Sequence, residues 1–296
     1  RNRQTRTVQV RVPERAWGFN SPLAHGEEIV GSPAHGCPSR LQRYGGQVRR
    51  SLDYISSPGR VRLPRGVILD DWVLDRALQN TNRVFEQLAE RTPYVFELLG
   101  MRNLSAFVGA VFARELQTAA DGLLVLNPHQ DGYPDLLLLD AAGQKALDKV
   151  VAAEQMRGKG PFSPFPTGGL EIKATCGDVP SERVLATKGL QKPQIGDTRV
   201  GLITGINWKA HHRDTNNLMG LIWDFWEGLP AVMVVSYSNR LNEEDWGKIV
   251  QPKSGGGRTT SVSIMAKSGV TKMLGNAVRV VDLPTYAELV DKLARR

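Results

Sequence analysis

Apolar positions recur with two different periods along this chain, and the change from one to the other falls near Gly122. From Asp70 or Asp71, either of which can cap a helix, to about Arg91, the positions Val73, Ala77, Val84, Phe85 and Leu88 follow helical spacing until Pro93 closes the run. Asn103 can cap a second helix, whose stripe of Leu104, Phe107, Val108, Val111, Phe112 and Leu116 ends near Gly122. Beyond that point the apolar residues come in short runs bounded by Gly, Pro, Asn and Asp: 123–126, 136–139, 170–174, 200–206, 218–223 and 231–237. Such runs predict strands of a largely buried sheet. Helices are expected at 141–156 and 284–295. Upstream, Val8, Val10 and Val12 alternate with polar residues and predict an early strand, whereas 18–66 is rich in Gly, Pro and Ser and reads as irregular. The expected fold is α/β, a central mixed sheet flanked by helices. An N-terminal arm would cover 1–68 and the main domain 69–296, with its core at about 100–240.

Composition sets the class. Apolar content of 41% and charged content of 23% are ordinary for a soluble globular protein. No apolar run approaches the roughly 20 residues of a membrane span, and the Arg-studded start lacks the apolar core of a signal peptide, so a cytoplasmic protein is expected. Cys37 and Cys176 are too few for a disulfide framework and read as free thiols. Charge is distributed unevenly. Residues 1–65 hold twelve Arg, no Lys and four acids, and so carry the whole net charge of +8. Arginine without lysine favours a planar, bidentate donor suited to phosphates and guanine edges, which makes a polyanion the expected partner. A solvated basic arm in an Arg-rich composition is the plainer alternative.

Chemistry concentrates in two segments, YPDLLLLD at 133–140 and GGLEIKAT at 168–175. Side chains alternate along a strand, so Leu170 and Ile172 share one face while Glu171 and Lys173 sit together on the other. An acid and a lysine in an apolar strand are costly to bury without a purpose. Asp135 enters the tetra-leucine strand behind Pro134 and Gly132. Glu115 follows Val108 by seven residues and Val111 by four, so helical phase places it on the apolar stripe. Convergence of these three carboxylates with one ammonium would form a hard-oxygen site suited to Mg²⁺. A turn cap at Asp135 and a plain Glu171–Lys173 ion pair are the structural alternative, which leaves Glu115 unexplained.

Pro134-Asp135 followed by Glu171-Ile172-Lys173 resembles the PD-(D/E)xK motif of nucleases. The preceding helix with Gly109 and Glu115 resembles the upstream acidic helix of many type II restriction endonucleases. The resemblance covers about residues 100–240, and the gap of 36 residues from Asp135 to Glu171 is long for the family, which makes 141–168 an inserted helix and loop. It implies a restriction-endonuclease-like sheet and site-specific, Mg²⁺-dependent cleavage of double-stranded DNA by a homodimer, leaving 5′-phosphate and 3′-hydroxyl ends. Asp135, Glu171 and the carbonyl of Ile172 would bind the metal, Glu115 would bind through water or hold a second ion, and Lys173 would orient or deprotonate the attacking water.

DNA contacts are expected from Arg43, Arg49, Arg50, Arg60 and Arg62 of the arm, and from Lys209, His211, His212 and Arg213 in a polar loop after the 200–206 run. His211, His212, Asn216 and Asn217 are the residue types of an HNH nuclease, but the rest of that motif is missing. His25, His35 and Cys37 fit no zinc spacing. Ser254–Gly257 is not followed by GK[ST], so no nucleotide cofactor is expected. Trp223, Phe225 and Trp226 belong to an apolar run and are expected in the core or at a dimer interface. A repair or junction-resolving nuclease, or a DNA-binding protein that does not cut, are the rival readings.

Overall fold

The computed structural model describes residues 52–57, 60–210, 215–250 and 262–295, except for the side chain of Arg102. The expected strand at Val8–Val12, the arm arginines Arg43, Arg49 and Arg50, the loop residues His211, His212 and Arg213, the thiol of Cys37 and the segment 254–257 lie outside the described residues.

In chain order, β1 (Tyr54–Ser56), β2 (Val61–Arg62) and β3 (Ile68–Leu69) precede two long helices, α1 (Asp71–Arg91) and α2 (Val95–Ala119). Next come β4 (Leu124–Leu126), β5 (Leu136–Leu138), α3 (Ala141–Ala152), β6 (Gly169–Thr175), the short α4 (Glu182–Ala186) and β7 (Lys209–Ala210). The chain continues through β8 (Leu218–Trp226), β9 (Leu229–Ser238), β10 (Ser263–Ile264), α5 (Lys267–Leu274), β11 (Ala277–Val281) and α6 (Pro284–Ala294). Seven strands form one mixed sheet in the order β1-β11-β9-β8-β6-β5-β4. Only β6 and β8 run parallel; the other neighbours are antiparallel.

The hairpin β8–β9 is apolar almost throughout because helices cover both of its faces. Met219, Leu221 and Trp223 pack into a core shared with α1 and α2, while the alternate residues Leu218 and Ile222 join α5 and α6 on the other side. Trp223 and Phe225 are fully enclosed, as their apolar run predicts. No single helix among the described residues is long and apolar enough to cross a membrane.

Four expectations need correction. Residues 54–69 are not an irregular arm: β1 closes one edge of the sheet, and Val61, Leu63 and Leu69 are buried in the core. Strands of two or three residues among Gly and Pro are too short for a period to register. The run 200–206 is a 3₁₀ turn at Val200–Leu202 rather than a strand. Asp224, buried in β8, accepts the backbone N–H groups of Arg199 and Val200 at 2.8–3.0 Å, so those donors cannot enter a ladder. Helix α2 starts before Asn103 and bends at Gly100, where φ is +62°, a conformation glycine adopts without a Cβ penalty. Asn103 bridges the bend by donating to the Leu99 carbonyl at 2.9 Å. Helix α3 ends at Ala152 instead of running to 156, with Glu154 at φ +55°.

Arg279 of β11 ties the sheet to α1. Its side chain is wholly enclosed and forms a fork on Asp75, with Nε–Oδ1 at 2.6 Å and Nη2–Oδ2 at 3.3 Å, and a further contact to Asp71 at 3.2 Å. Asp75 is itself exposed, but removing it takes the main counter-charge from a fully enclosed guanidinium. Asp75→Ala is therefore expected to cost about 3 kcal/mol of folding stability, read as a lower urea midpoint at an unchanged slope. A loss within about 0.5 kcal/mol would show that Asp71 and the nearby carbonyls carry the charge alone.

Candidate active site

The β5–β6 ladder pairs Leu137 with Gly169 and Leu136 with Leu170, and there β5 ends. Gly169 permits the approach, because a Cβ at that position would lie 1.9 Å from the Leu136 carbonyl oxygen. One residue further, Asp135 and Glu171 stand side by side, and their carboxylates take over the bonding that the ladder has left. The Asp135 N–H donates to Glu171 Oε2 at 3.1 Å, and the Ile172 N–H donates to Asp135 Oδ2 at 2.8 Å. At the opposite edge of β6, the Glu171 N–H donates to the Asn217 carbonyl at 3.0 Å. In an extended strand the N–H and C=O of one residue point to the same edge, so the Ile172 carbonyl faces the β5 side with its N–H.

Lys173, two residues along the same face, closes the cluster. Its Nζ bonds Glu171 Oε1 and lies 3.6 Å from Asp135 Oδ2. Side-chain exposure is graded: 10% for Glu171, 21% for Lys173 and 39% for Asp135, so the cluster opens to solvent at Asp135. Burial pushes the Glu171 carboxyl above the usual carboxylate range; the Lys173 charge works against this and the Asp135 charge adds to it. Burial disfavours the Lys173 ammonium, but the Glu171 and Asp135 carboxylates outweigh it and hold its pKa above that of an ordinary lysine.

Further along this face the sheet is covered. Thr175 donates to Asn207 Oδ1 at 2.7 Å, and the Trp208 ring lies so close over Gly220 that a Cβ there would fall 2.6 Å from it. Where β8 begins, beside the Glu171 backbone, further polar groups meet. Tyr133 Oη contacts the Asn216 backbone at 3.3–3.4 Å, and Tyr237 Oη joins the Arg62 carbonyl and, at 3.1 Å, Asn217 Oδ1. Asn239 donates to the same Arg62 carbonyl at 3.2 Å, which ties β2 to the sheet face that α1 and α2 cover, while the Arg62 side chain stays exposed. Sequence reasoning missed Tyr133, which its adjacency to Pro134-Asp135 marks, whereas the Tyr237 ring packs in the core on the opposite face of the sheet.

Asp135, Glu171, Lys173 and Ile172 are thus brought together, and Glu115 is not among them. Among the described residues no three His, Cys, Asp or Glu side chains are grouped to hold a metal ion. Helix α2 lies on the opposite face of β6: a Cβ on Gly109 would meet the Ala174 Cβ at 3.6 Å and Ile172 Cγ2 at 3.9 Å. Glu115 is half-buried there and makes no hydrogen bond or ion pair with a described residue. Arg60 and Lys209 are exposed, like Arg62.

The donors fit a hard divalent cation in part. Among the described residues Asp135 Oδ1 has no hydrogen-bond donor, each Glu171 oxygen keeps a second lone pair, and the Ile172 carbonyl faces the same edge. Two carboxylates and one carbonyl, with water in the remaining positions, suit Mg²⁺. Lys173→Met leaves two adjacent carboxylates without their cation, so we expect it to lower stability by roughly 2–4 kcal/mol. Millimolar Mg²⁺ should then raise the Tm of the variant more than that of the wild type. Equal shifts in the two proteins would show that the ion binds elsewhere.

No protein-family model, curated protein or solved structure matches this chain, so any functional reading stands on the geometry of these side chains.

Proposed function

We propose that this chain is a Mg²⁺-dependent, site-specific endonuclease of double-stranded DNA, built on the PD-(D/E)xK plan that its sequence resembles. One observation carries the reading. Strand register, acting on residues 36 positions apart, sets Asp135 beside Glu171 on one face with Lys173, where the cluster opens to solvent.

Each side chain has a task in phosphodiester hydrolysis. Asp135, Glu171 and the Ile172 carbonyl would hold Mg²⁺, which supplies Lewis acidity, a more acidic water and a shield for the phosphate charge. The backbone N–H bonds to both carboxylates fix their positions before any substrate arrives, which removes a reorganisation cost from the reaction. Lys173, kept protonated by its two neighbours, favours the role of donor over that of base: it can orient the attacking water and offset charge gathering on the phosphorane oxygens. Water adds to phosphorus and the P–O3′ bond breaks, giving the 5′-phosphate and 3′-hydroxyl ends of the motif's chemistry. Arg62, Arg60 and Lys209 present exposed cations able to neutralise backbone phosphates, with Arg43, Arg49, Arg50, His211, His212 and Arg213 as further contacts in this reading. A homodimer in the cytoplasm would match a two-fold symmetric site.

The central experiment compares binding with cutting. Asp135→Ala, Glu171→Ala and Lys173→Ala should each lower cleavage of a mapped plasmid by roughly 10³-fold or more while duplex binding persists. EDTA should abolish cutting by the wild type. Glu115→Gln should leave the Mg²⁺ dependence unchanged, since α2 covers the other face of β6. Cleavage by Lys173→Ala at the wild-type rate would remove the nuclease reading, and preference for branched over linear duplex would turn it toward a junction nuclease.

Replacing Arg60 and Arg62 together by Ala should weaken duplex binding and reduce the log-log salt slope by roughly two units, about one per phosphate contact. An unchanged slope would show that both side chains face solvent in the complex.

A further inference from the structure

The two sides of the Asp135–Glu171–Lys173 cluster differ. On the β8 side it is closed, by the Trp208 ring over Gly220, the partner of Lys173, and by the bond from Thr175 to Asn207. On the β5 side it opens at Asp135, the most exposed of the three charged side chains. The segment between β5 and β6 borders that open side, and alternation along β5 places it there. Leu136 and Leu138 belong to the core under α2, so Asp135, Leu137 and Leu139 point to the other face, the one that carries Glu171 and Lys173. Leu137 is buried there with Val150 of α3 and with Phe162 and Phe165, whose rings stack at 6.3 Å.

The loop after α3 is also fastened to the mouth of the site by its backbone. The Phe162 carbonyl accepts from the Tyr133 N–H at 2.8 Å and from Asn127 Nδ2 at 3.0 Å, and the Phe165 N–H donates to the Tyr133 carbonyl at 2.9 Å. Tyr133 precedes Asp135 by two residues. Upstream, the Phe162 N–H donates to the Lys159 carbonyl at 2.9 Å and the Gly158 N–H to the Gln155 carbonyl at 3.0 Å. One 3₁₀ turn and one cross-chain pair thus separate Lys159 from Tyr133, which sets their Cα atoms no more than about 11 Å apart. The turn carries charge of one sign. From Gln155 to Leu170 the only charged side chains are Arg157 and Lys159; both are exposed, and neither makes an ion pair or hydrogen bond with a described residue. Segment 141–168 as a whole holds four cations against two acids, of which Asp148 accepts from Gln144.

We propose that this turn is a substrate-gripping wall of the site, in which Arg157 and Lys159 hold phosphates of the nucleic-acid strand next to the one bound at Asp135 and Glu171. The ligand rests on the nuclease reading; the placement of the two cations does not. Duplex DNA carries one charge per roughly 1.7 Å of axis, so a strand that enters on the open side of Asp135 passes its phosphates over the turn. The buried phenylalanines and the three bonds to Tyr133 and Asn127 fix the backbone of the turn before any ligand arrives, which lowers the ordering cost of binding. The inserted helix and loop that lengthen the gap between Asp135 and Glu171 thereby acquire a task.

Duplex binding by the full chain tests it, measured in EDTA so that cutting plays no part. Arg157→Ala combined with Lys159→Ala should bind roughly tenfold more weakly than the wild type at about 0.15 M salt, with a log-log salt slope smaller by roughly two units. Exchanging the two cations, Arg157→Lys with Lys159→Arg, should keep the wild-type slope. Arg76→Ala combined with Arg83→Ala removes the same charge from the exposed side of α1, which covers the opposite face of the sheet, and should change the slope by less than about half a unit. An unchanged slope in the Arg157 and Lys159 variant, or an equal loss in the Arg76 and Arg83 variant, would overturn the proposal. Plasmid cleavage by the wild type in Mg²⁺ is scored separately. No cutting beside a reduced slope removes the nuclease reading and keeps the wall, cutting beside an unchanged slope does the reverse, and a wild type that binds no duplex removes both.

Discussion

Where β5 stops and β6 continues, the backbone N–H of Ile172 is left facing an edge without a carbonyl partner, and Asp135 fills that vacancy with its carboxylate. Glu171 does the same for the N–H of Asp135. A buried, unpaired N–H costs about as much as a lost hydrogen bond, so the fold holds both acids in place for its own stability. The arrangement that ends the ladder is thus the one that faces a substrate, and stability and chemistry draw on the same atoms. Substituting Asn or Gln keeps an acceptor for each N–H, whereas Ala removes the acceptor together with the charge.

The sequence reveals the parts of this site that depend on local period and hides those that depend on which face a helix covers. Alternation alone puts Glu171 with Lys173, and the flanking apolar residues mark β5, β6, β8 and β9 within a few positions. Helical phase places Glu115 next to the apolar stripe of α2, and it is half-buried. Phase does not tell which side of the sheet the stripe will occupy, and Gly109 against Ala174 puts it on the side away from Lys173. The 200–206 run misleads for a related reason. Apolar residues record burial, and a buried turn whose N–H groups are taken by Asp224 looks the same as a buried strand. Short edge strands such as β1 leave no period to read, since their partners lie at the other end of the chain.

Buried charges divide the molecule's interior into two kinds of place. Asp224 and Arg279 are saturated, the first by three backbone donors and a tyrosine, the second by two aspartates and two carbonyls. Such groups pin loops and helices to strands and need nothing from outside. Glu171 and Lys173 are paired but open at Asp135, and the enclosed Nε of Arg199 has no hydrogen-bond partner among the described residues. Incomplete satisfaction of this kind is where an interior can still gain free energy from a ligand.

The clamp between Arg279 and Asp75 joins residues 204 positions apart, and β1 meets β11 across a similar span. Strands β5, β6 and β8 can meet their neighbours through far shorter loops. During synthesis, then, the half of the sheet that carries the acids can assemble while β9, with its buried run Ala231, Val232, Met233, Val234 and Val235, still shows a bare edge. An apolar edge of that length invites pairing with another copy of the same strand. Until Val281 has left the ribosome, the nascent chain depends on crowd control from chaperones or on speed.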